Sequence, residues 1–207
     1  MPASVSPIRL TLISAPATRQ LQEGIFLGDE GLDASARAQL ERVRWTADPG
    51  QKIWVSPEAR TRETAKALGV NAEEAPELRE CDFGLWRGRS LQEIHHEDPV
   101  GLRLWIQDLG SCPHRGESFL QLMERVGEWL DLRREAGSCV VITHASVIRA
   151  AIVHALSAPQ ESFRRIELGP LTLTDIRQNG AQWHVRSMGV RLTNAEGSAE
   201  HEEPQCD

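Results

Sequence analysis

The stretch SCVVITHASVIRAAIVHALS, residues 138–157, decides the fold. Cys139 to Ile142 form a continuous apolar run that ends at Thr143 and His144. A short run rich in β-branched residues reads as a strand buried on both faces. The residues after it, ASVIRAAIVHALS, read as a mostly buried helix. His144 therefore falls at the carboxyl end of a central strand, just ahead of a helix N-terminus.

The same alternation extends outward from this unit. RLTLIS (9–14) and KIWVS (52–56) read as strands, and VNAEEAPEL (70–78) as a short strand and a turn. GLDASARAQLERVRW (31–45) reads as a helix with an N-cap at Asp33 and apolar positions at Leu40, Val43 and Trp45. PEARTRETAKALG (57–69) has Pro at its start and Gly at its end, as a short helix should. ESFLQLMERVGEWLDLRRE (117–135) carries an apolar stripe of Phe119, Leu122, Met123, Val126, Trp129 and Leu130. Between these, residues 81–115 are irregular and rich in Gly and Trp, with two short helices, the first opened by a capping-box pattern at Ser90 and Glu93. FRRIELG (163–169), LTLTDIRQ (171–178) and QWHVRSMG (182–189) read as closing strands, the last two joined by a turn at Asn179-Gly180.

Strands alternating with helices predict an α/β fold, a three-layer α/β/α sandwich with a mainly parallel central sheet. The chain of 207 residues is long enough for one substantial core, and one domain is expected over 1–192. The end of the chain from Ala195, AEGSAEHEEPQCD, has acids and no Lys or Arg. Residues 193–207 thus read as an acidic, disordered tail. No apolar run approaches the length needed to span a membrane, and MPASVSPIRLTLIS has no secretory pattern; a cytoplasmic location is expected. The net charge of −7 leaves no nucleic-acid footprint. Cys81, Cys112, Cys139 and Cys206 show neither a CxxC pair nor zinc-ligand spacing, so they read as thiols, with Cys139 in the core.

Ligands of such sheets bind beyond the carboxyl ends of the strands. Three segments lie there: Ser14 onward, Ser56 onward and His144 onward. SPEARTRETA (56–65) puts Arg60 in the first turn of a helix, where orphan N–H groups and a guanidinium make an anion seat. LRECDFGLWRG (78–88) offers Glu80 beside a Gly-rich, aromatic turn. RGES (115–118) opens the long helix with Glu117 and Ser118. Each has an ordinary reading by itself: a solvated surface arginine, a structural histidine, a turn carboxylate, a helix cap.

Taken in this order, these segments resemble the histidine phosphatase superfamily, the phosphoglycerate-mutase-like fold, over residues 8–190. The resemblance rests on Ser56, Pro57, Arg60, Thr64 and Ala65; on Leu78, Glu80, Gly84, Trp86 and Gly88; on Gly116, Glu117 and Ser118; and on His144 with Val147, Ile148 and Arg149. It implies phosphomonoester hydrolysis or mutase chemistry without metal or cofactor. A neutral His would attack phosphorus, cationic residues would hold the phosphoryl oxygens, and Glu80 would protonate the leaving alcohol.

The family's opening signature is an Arg-His-Gly at the end of the first strand, then usually an acid, then Thr. The Thr is present as Thr18, but SAPA (14–17) precedes it. Without any gap, Ser14 stands for Arg, Ala15 for the nucleophilic His, Pro16 for Gly and Ala17 for the acid. The resemblance then implies a degenerate family protein, inactive or strongly impaired in phosphoryl transfer, with a partial phosphate or anion pocket. Its expected residues are Arg60, His144, Ser14 and Glu117 for the anion, with Glu80 and His144 as vestigial catalytic groups. One firm positive charge, Arg60, is expected, with anion affinity falling as His144 loses its proton. Arg115, beside Glu117, is the favoured pocket residue of the variable segment. The alternatives are a non-enzymatic interaction scaffold with a protein partner, or a phosphomonoesterase with a rerouted nucleophile such as His144 or Ser14, or with Glu80 activating water directly. The expected partner is an anionic or phosphorylated small molecule, and neither nucleic acid nor a membrane is expected.

Overall fold

The structure is a computed structural model that describes residues 8–133, 137–180 and 182–192. The acidic tail, Cys206 and Ala181 of the hairpin turn lie outside the described residues. One six-stranded sheet runs in the order β3-β2-β4-β1-β5-β6. Its strands are β1 (Ile8–Ser14), β2 (Lys52–Val55), β3 (Glu73–Glu74), β4 (Gly137–Thr143), β5 (Thr172–Asn179) and β6 (Gln182–Arg191). Strands β3, β2, β4 and β1 are mutually parallel, with Leu10 and Lys52 both opposite Cys139. Strand β5 runs antiparallel to β1, and β6 antiparallel to β5. The predicted mainly parallel sheet is therefore present, with an antiparallel pair closing one edge.

The period-two alternation of a strand explains the two cores. Val140 and Ile142 of β4 join Ile13, Ile53 and Val55 on one face, with Ala65 of α3 (Ala59–Ala67). Cys139 and Val141 join Leu10, Leu12 and Ile176 on the other. That second face is covered by α6 (Phe119–Asp131) and α7 (Ala145–Ala155), through Leu122, Val126 and Leu130 and through Val147, Ile148 and Ile152. All six stripe residues of α6 are buried. Ser118 caps this helix, accepting from the Gln121 N–H, so capping falls to Ser118 rather than Glu117.

Several boundaries differ from the sequence reading. Helix α2 (Ala34–Glu41) is capped by Asp33 as expected but stops before Val43 and Trp45. Those side chains still pack, Val43 with Leu40 and Trp45 beside Ile53, so their apolar spacing serves a loop. Helix α3 starts at Ala59 with Glu58 at its cap, which leaves Pro57 outside. A short helix, α1 (Arg19–Gln22), follows Thr18, whose Oγ1 accepts from the Leu21 N–H. FRRIELG is not a strand: Gln160–Arg165 is a 3-10 turn and 166–169 continue without regular structure. Phe163 is the reason, because it turns inward to pack on Phe119, the rings tilted by 41° at a centroid distance of 4.9 Å. The irregular segment holds α4 (Leu91–Glu97), capped by the Ser90–Glu93 box, and α5 (Pro99–Gln107).

Two glycines of the motif segments are required by contact. Loop 82–86 lies against 114–117, with the Leu85 N–H donating to His114 O at 2.8 Å and the Glu117 N–H to Asp82 O at 2.7 Å. A Cβ on Gly84, where φ is +44°, would sit 2.2 Å from His114 O, and one on Gly116 would sit 2.0 Å from Asp82 O. This contact fixes the turn that carries Phe83.

Candidate functional site

The carboxyl ends of β1, β2 and β4 meet at one place, and hydroxyls at the strand ends hold it together. Ser56 Oγ lies 2.7 Å from Thr143 Oγ1, and Thr143 Oγ1 donates to Leu78 O at 3.0 Å. These bonds tie the ends of β2 and β4 to the turn that leads into Glu80. On the β1 side, the Ala15 N–H donates to Thr143 O at 2.8 Å, which carries the β1–β4 pairing one residue beyond the strand.

Above these ends, the structure brings Arg60, Glu80 and His144 together. Arg60 Nη2 lies 2.7 Å from His144 Nδ1. Guanidinium only donates, so Nδ1 accepts, and the ring proton sits on Nε2. Nε2 in turn donates to Glu58 Oε2 at 2.8 Å. With these two contacts the imidazole is neutral. Glu80 Oε2 is 3.6 Å from both Arg60 Nη2 and His144 Nδ1. Glu80 Oε1 accepts from the Cys81 N–H at 2.9 Å and from the Ser146 hydroxyl. Arg60 is only 6% exposed, yet its Nε and Nη1 have no partner.

Glu58 was not legible as a site residue. It caps α3 without a side-chain cap bond and spends its carboxylate on His144 and on the Glu80 N–H, 3.0 Å away. Burial opposes its ionisation, but the hydrogen bond from His144, helped by the backbone N–H groups of Glu58 and Glu80, outweighs this, so its carboxyl titrates below the ordinary carboxylate value. The only local signal was its place in Ser-Pro-Glu, two residues before Arg60. Arg149 is a second guanidinium in the same chamber, so the expectation of a single firm positive charge is corrected. Its Nε is buried without a partner, and burial pulls its pKa below the usual value against the opposing charges of Glu80 and Glu167.

Ser14 lines the chamber, but its hydroxyl is taken. Oγ donates to Gly169 O at 2.9 Å and accepts from the Thr172 N–H at 2.9 Å, locking β1 to the turn before β5. Glu117 is elsewhere. It makes a two-point pair with Arg125, at 2.8 and 2.7 Å, and reaches Arg79 at 3.1 Å, all in a separate shallow recess. Arg115 is exposed and lines neither cavity. The structure therefore does not bring Glu117 or Arg115 to the pocket.

The chamber has a volume of about 400 Å³, within the roughly 300–1,000 Å³ range of small-molecule sites. Its polar end is Arg60, Glu80, His144, Ser146 and Arg149, with Ala15, Pro16 and Ala17 beside them. The rest of its wall is apolar, led by Phe26, Phe83, Trp105 and Phe119. A larger cavity of about 890 Å³ lies between α6, α7 and β6, around Met123, Val153, His154 and Trp183. It holds none of the strand-end residues, so the smaller chamber is the one with convergent chemistry. Among the described residues, no cluster of three or more His, Cys, Asp or Glu side chains is arranged to hold a metal ion. No helix among them is long and apolar enough to cross a membrane.

Comparison with known proteins agrees with this architecture. The chain is 30% identical over 167 residues to the 6-phosphofructo-2-kinase/fructose-2,6-bisphosphatase of Gallus gallus, covering 78% of this chain and 35% of that protein. It spans about a third of the length of the curated relatives it matches. Among solved structures, YhfR of Bacillus stearothermophilus superposes with a TM-score of 0.80 at 24% identity, over 88% of this chain and 97% of that one. A histidine-to-alanine mutant of the phosphoserine phosphatase of Entamoeba histolytica, in complex with phosphoserine, superposes with a TM-score of 0.72 at 20% identity, over 88% and 96%. The profile of the histidine phosphatase superfamily, branch 1, matches residues 17–191, beginning just past Ala15 and Pro16. With the strand order, the strand-end cluster and a family match over most of its length, this chain belongs to the histidine phosphatase superfamily.

Proposed function

We propose that this chain binds a small anion in the strand-end chamber and does not perform phosphoryl transfer through a histidine nucleophile. The observation that carries the reading is Arg60: a residue only 6% exposed, with two guanidinium nitrogens unpartnered, in the lining of a chamber where Ala15 stands just past β1. Buried donors without partners are costly, and an anion between Arg60 and Arg149 satisfies them. Ala15 has only a methyl group, and loss of an activated nucleophile leaves only the residual rate supplied by binding and electrostatics. His144 does not replace it, because its Nδ1 lone pair accepts from Arg60 and its Nε2 proton is held by Glu58. The Entamoeba mutant supports the same separation: that protein holds phosphoserine with a histidine changed to alanine.

Thermal unfolding with acetate and inorganic phosphate, run beside a p-nitrophenyl phosphate assay, tests this. The melting temperature rises with anion concentration in the native chain and not in Arg60→Met, while turnover stays at background. Turnover well above background that His144→Ala abolishes would overturn the reading in favour of a rerouted phosphomonoesterase.

A further inference from the structure

The chamber's charge balance and its walls narrow the ligand beyond "anion". The ionised groups that line it are the guanidiniums of Arg60 and Arg149 and the carboxylate of Glu80, and the Glu58 carboxylate lies behind the neutral His144 ring, outside the lining. These formal charges cancel. A singly charged head can use the unpartnered Arg60 Nε and Nη1 and Arg149 Nε. A doubly charged head would bring its second charge against Glu80, whose Oε2 stays 3.6 Å from Arg60 Nη2. A planar carboxylate also matches the fork geometry of a guanidinium.

The apolar part of the chamber combines four aromatic rings with the aliphatic side chains of Leu21, Ile25, Leu27, Leu91 and Leu168. Phe26 touches Phe83 at a centroid distance of 5.0 Å and Trp105 at 5.4 Å, and Trp105 touches Phe119 at 5.4 Å. All four rings line the chamber; Phe26 and Phe119 are buried, whereas Phe83 and Trp105 are only partly covered. Ala15, Pro16 and Ala17 also line the chamber and add methyl groups and a pyrrolidine ring in place of polar atoms. An aromatic body would meet tilted and edge-on rings together with small apolar groups.

We infer that the chamber takes an aromatic monocarboxylate, its carboxylate on Arg60 and Arg149 and its ring against Phe83 and Trp105. This rests on the anion-binding reading and goes further by naming the head group and the body. Titration calorimetry of the full chain at neutral pH with phenylacetate, acetate, phenyl phosphate and inorganic phosphate tests it, because a phosphate monoester there carries about −1.5 to −2 charge. Phenylacetate is expected to bind at least about tenfold tighter than either acetate or phenyl phosphate. Arg60→Met abolishes its binding, and Trp105→Leu lowers the phenylacetate-to-acetate ratio several-fold. Phenyl phosphate binding tighter than phenylacetate, or acetate binding as tightly as phenylacetate, overturns the inference and leaves anion binding standing. Phenylacetate binding equally well to Arg60→Met also overturns it, since the site would then be purely apolar. Absence of binding by all four ligands removes both readings.

Discussion

His144 and Arg60 form the central contact of the chamber: Arg60 Nη2 donates to His144 Nδ1 at 2.7 Å, and the ring donates its Nε2–H to Glu58 Oε2 at 2.8 Å. The chain Arg60–His144–Glu58 joins the first turn of α3 to the junction of β4 and α7. It sets the ring's tautomer and orientation, and it holds Arg60 in the chamber lining with Nε and Nη1 unpartnered. Replacing Glu58 by Ala removes the acceptor for His144 Nε2 and for the Glu80 N–H. The expected loss is about 1–3 kcal/mol of stability, read from the urea midpoint.

The same residue makes a pH dependence with a definite sign. The Glu58 carboxyl titrates below its ordinary value of 4.5 in the folded chain. Its stabilising contribution is therefore fully present above that value and is lost as pH falls through the lower, folded value. Glu58→Gln should show a shallower decline of the urea midpoint with acidification below about 4.5 than the native chain. Parallel declines would show that Glu58 does not contribute to acid sensitivity.

Glu117 belongs to a structural ion pair, and mutation should separate it from the chamber. Its carboxylate and Arg125 are 8% and 12% exposed at their side chains. Glu117→Ala leaves a largely buried guanidinium without its charge partner, a loss of about 3 kcal/mol. Anion-induced stabilisation should persist in this variant and vanish in Arg60→Met, as compared by thermal unfolding at saturating acetate.

Gly116→Ala should be destabilising out of proportion to the size of a methyl group. The added Cβ would fall 2.0 Å from Asp82 O, a backbone atom that cannot swing aside. Overpacking of this kind costs about 1–3 kcal/mol. Displacement of the 82–86 turn would also move Phe83, so phenylacetate affinity should fall together with the urea midpoint.

Cys81 should be inert in the native chain. Burial pushes its thiol pKa far up, and the nearby charges of Glu80 and Glu117 push it further. Iodoacetamide at mildly alkaline pH, read by peptide mass spectrometry, should label the half-exposed Cys112 first and reach Cys81 only after denaturation. Native labelling of Cys81 at the rate of Cys112 would contradict the burial described here.

Much of the fold and part of the site could be read along the chain because their signals are local. The apolar run 139–142, the caps at Asp33, Ser90 and Ser118, and the stripe of α6 each reflect backbone geometry within a few residues. Arg60, Glu80 and His144 were legible as a group for one further reason: each follows a strand or sits just beyond one, and parallel strands deliver their carboxyl ends to one place. FRRIELG was misread because Phe163 is buried by a distant partner, Phe119, which no local pattern reveals.

By itself, then, the sequence determined an α/β sheet covered on both faces, a strand-end cluster of Arg60, Glu80 and His144, and an alanine at position 15. Tertiary structure decided how each polar atom is used. It tied the Ser14 hydroxyl to the Gly169–Thr172 turn, turned Glu117 away to Arg125, brought Glu58 to His144 and put Arg149 in the chamber. It also assembled the aromatic wall from Phe26, Phe83, Trp105 and Phe119, which lie far apart in the chain. Periodicity encodes which face of an element is buried. The partner a side chain finds across a loop depends on how the loops close over the sheet, and that is a property of the folded chain alone.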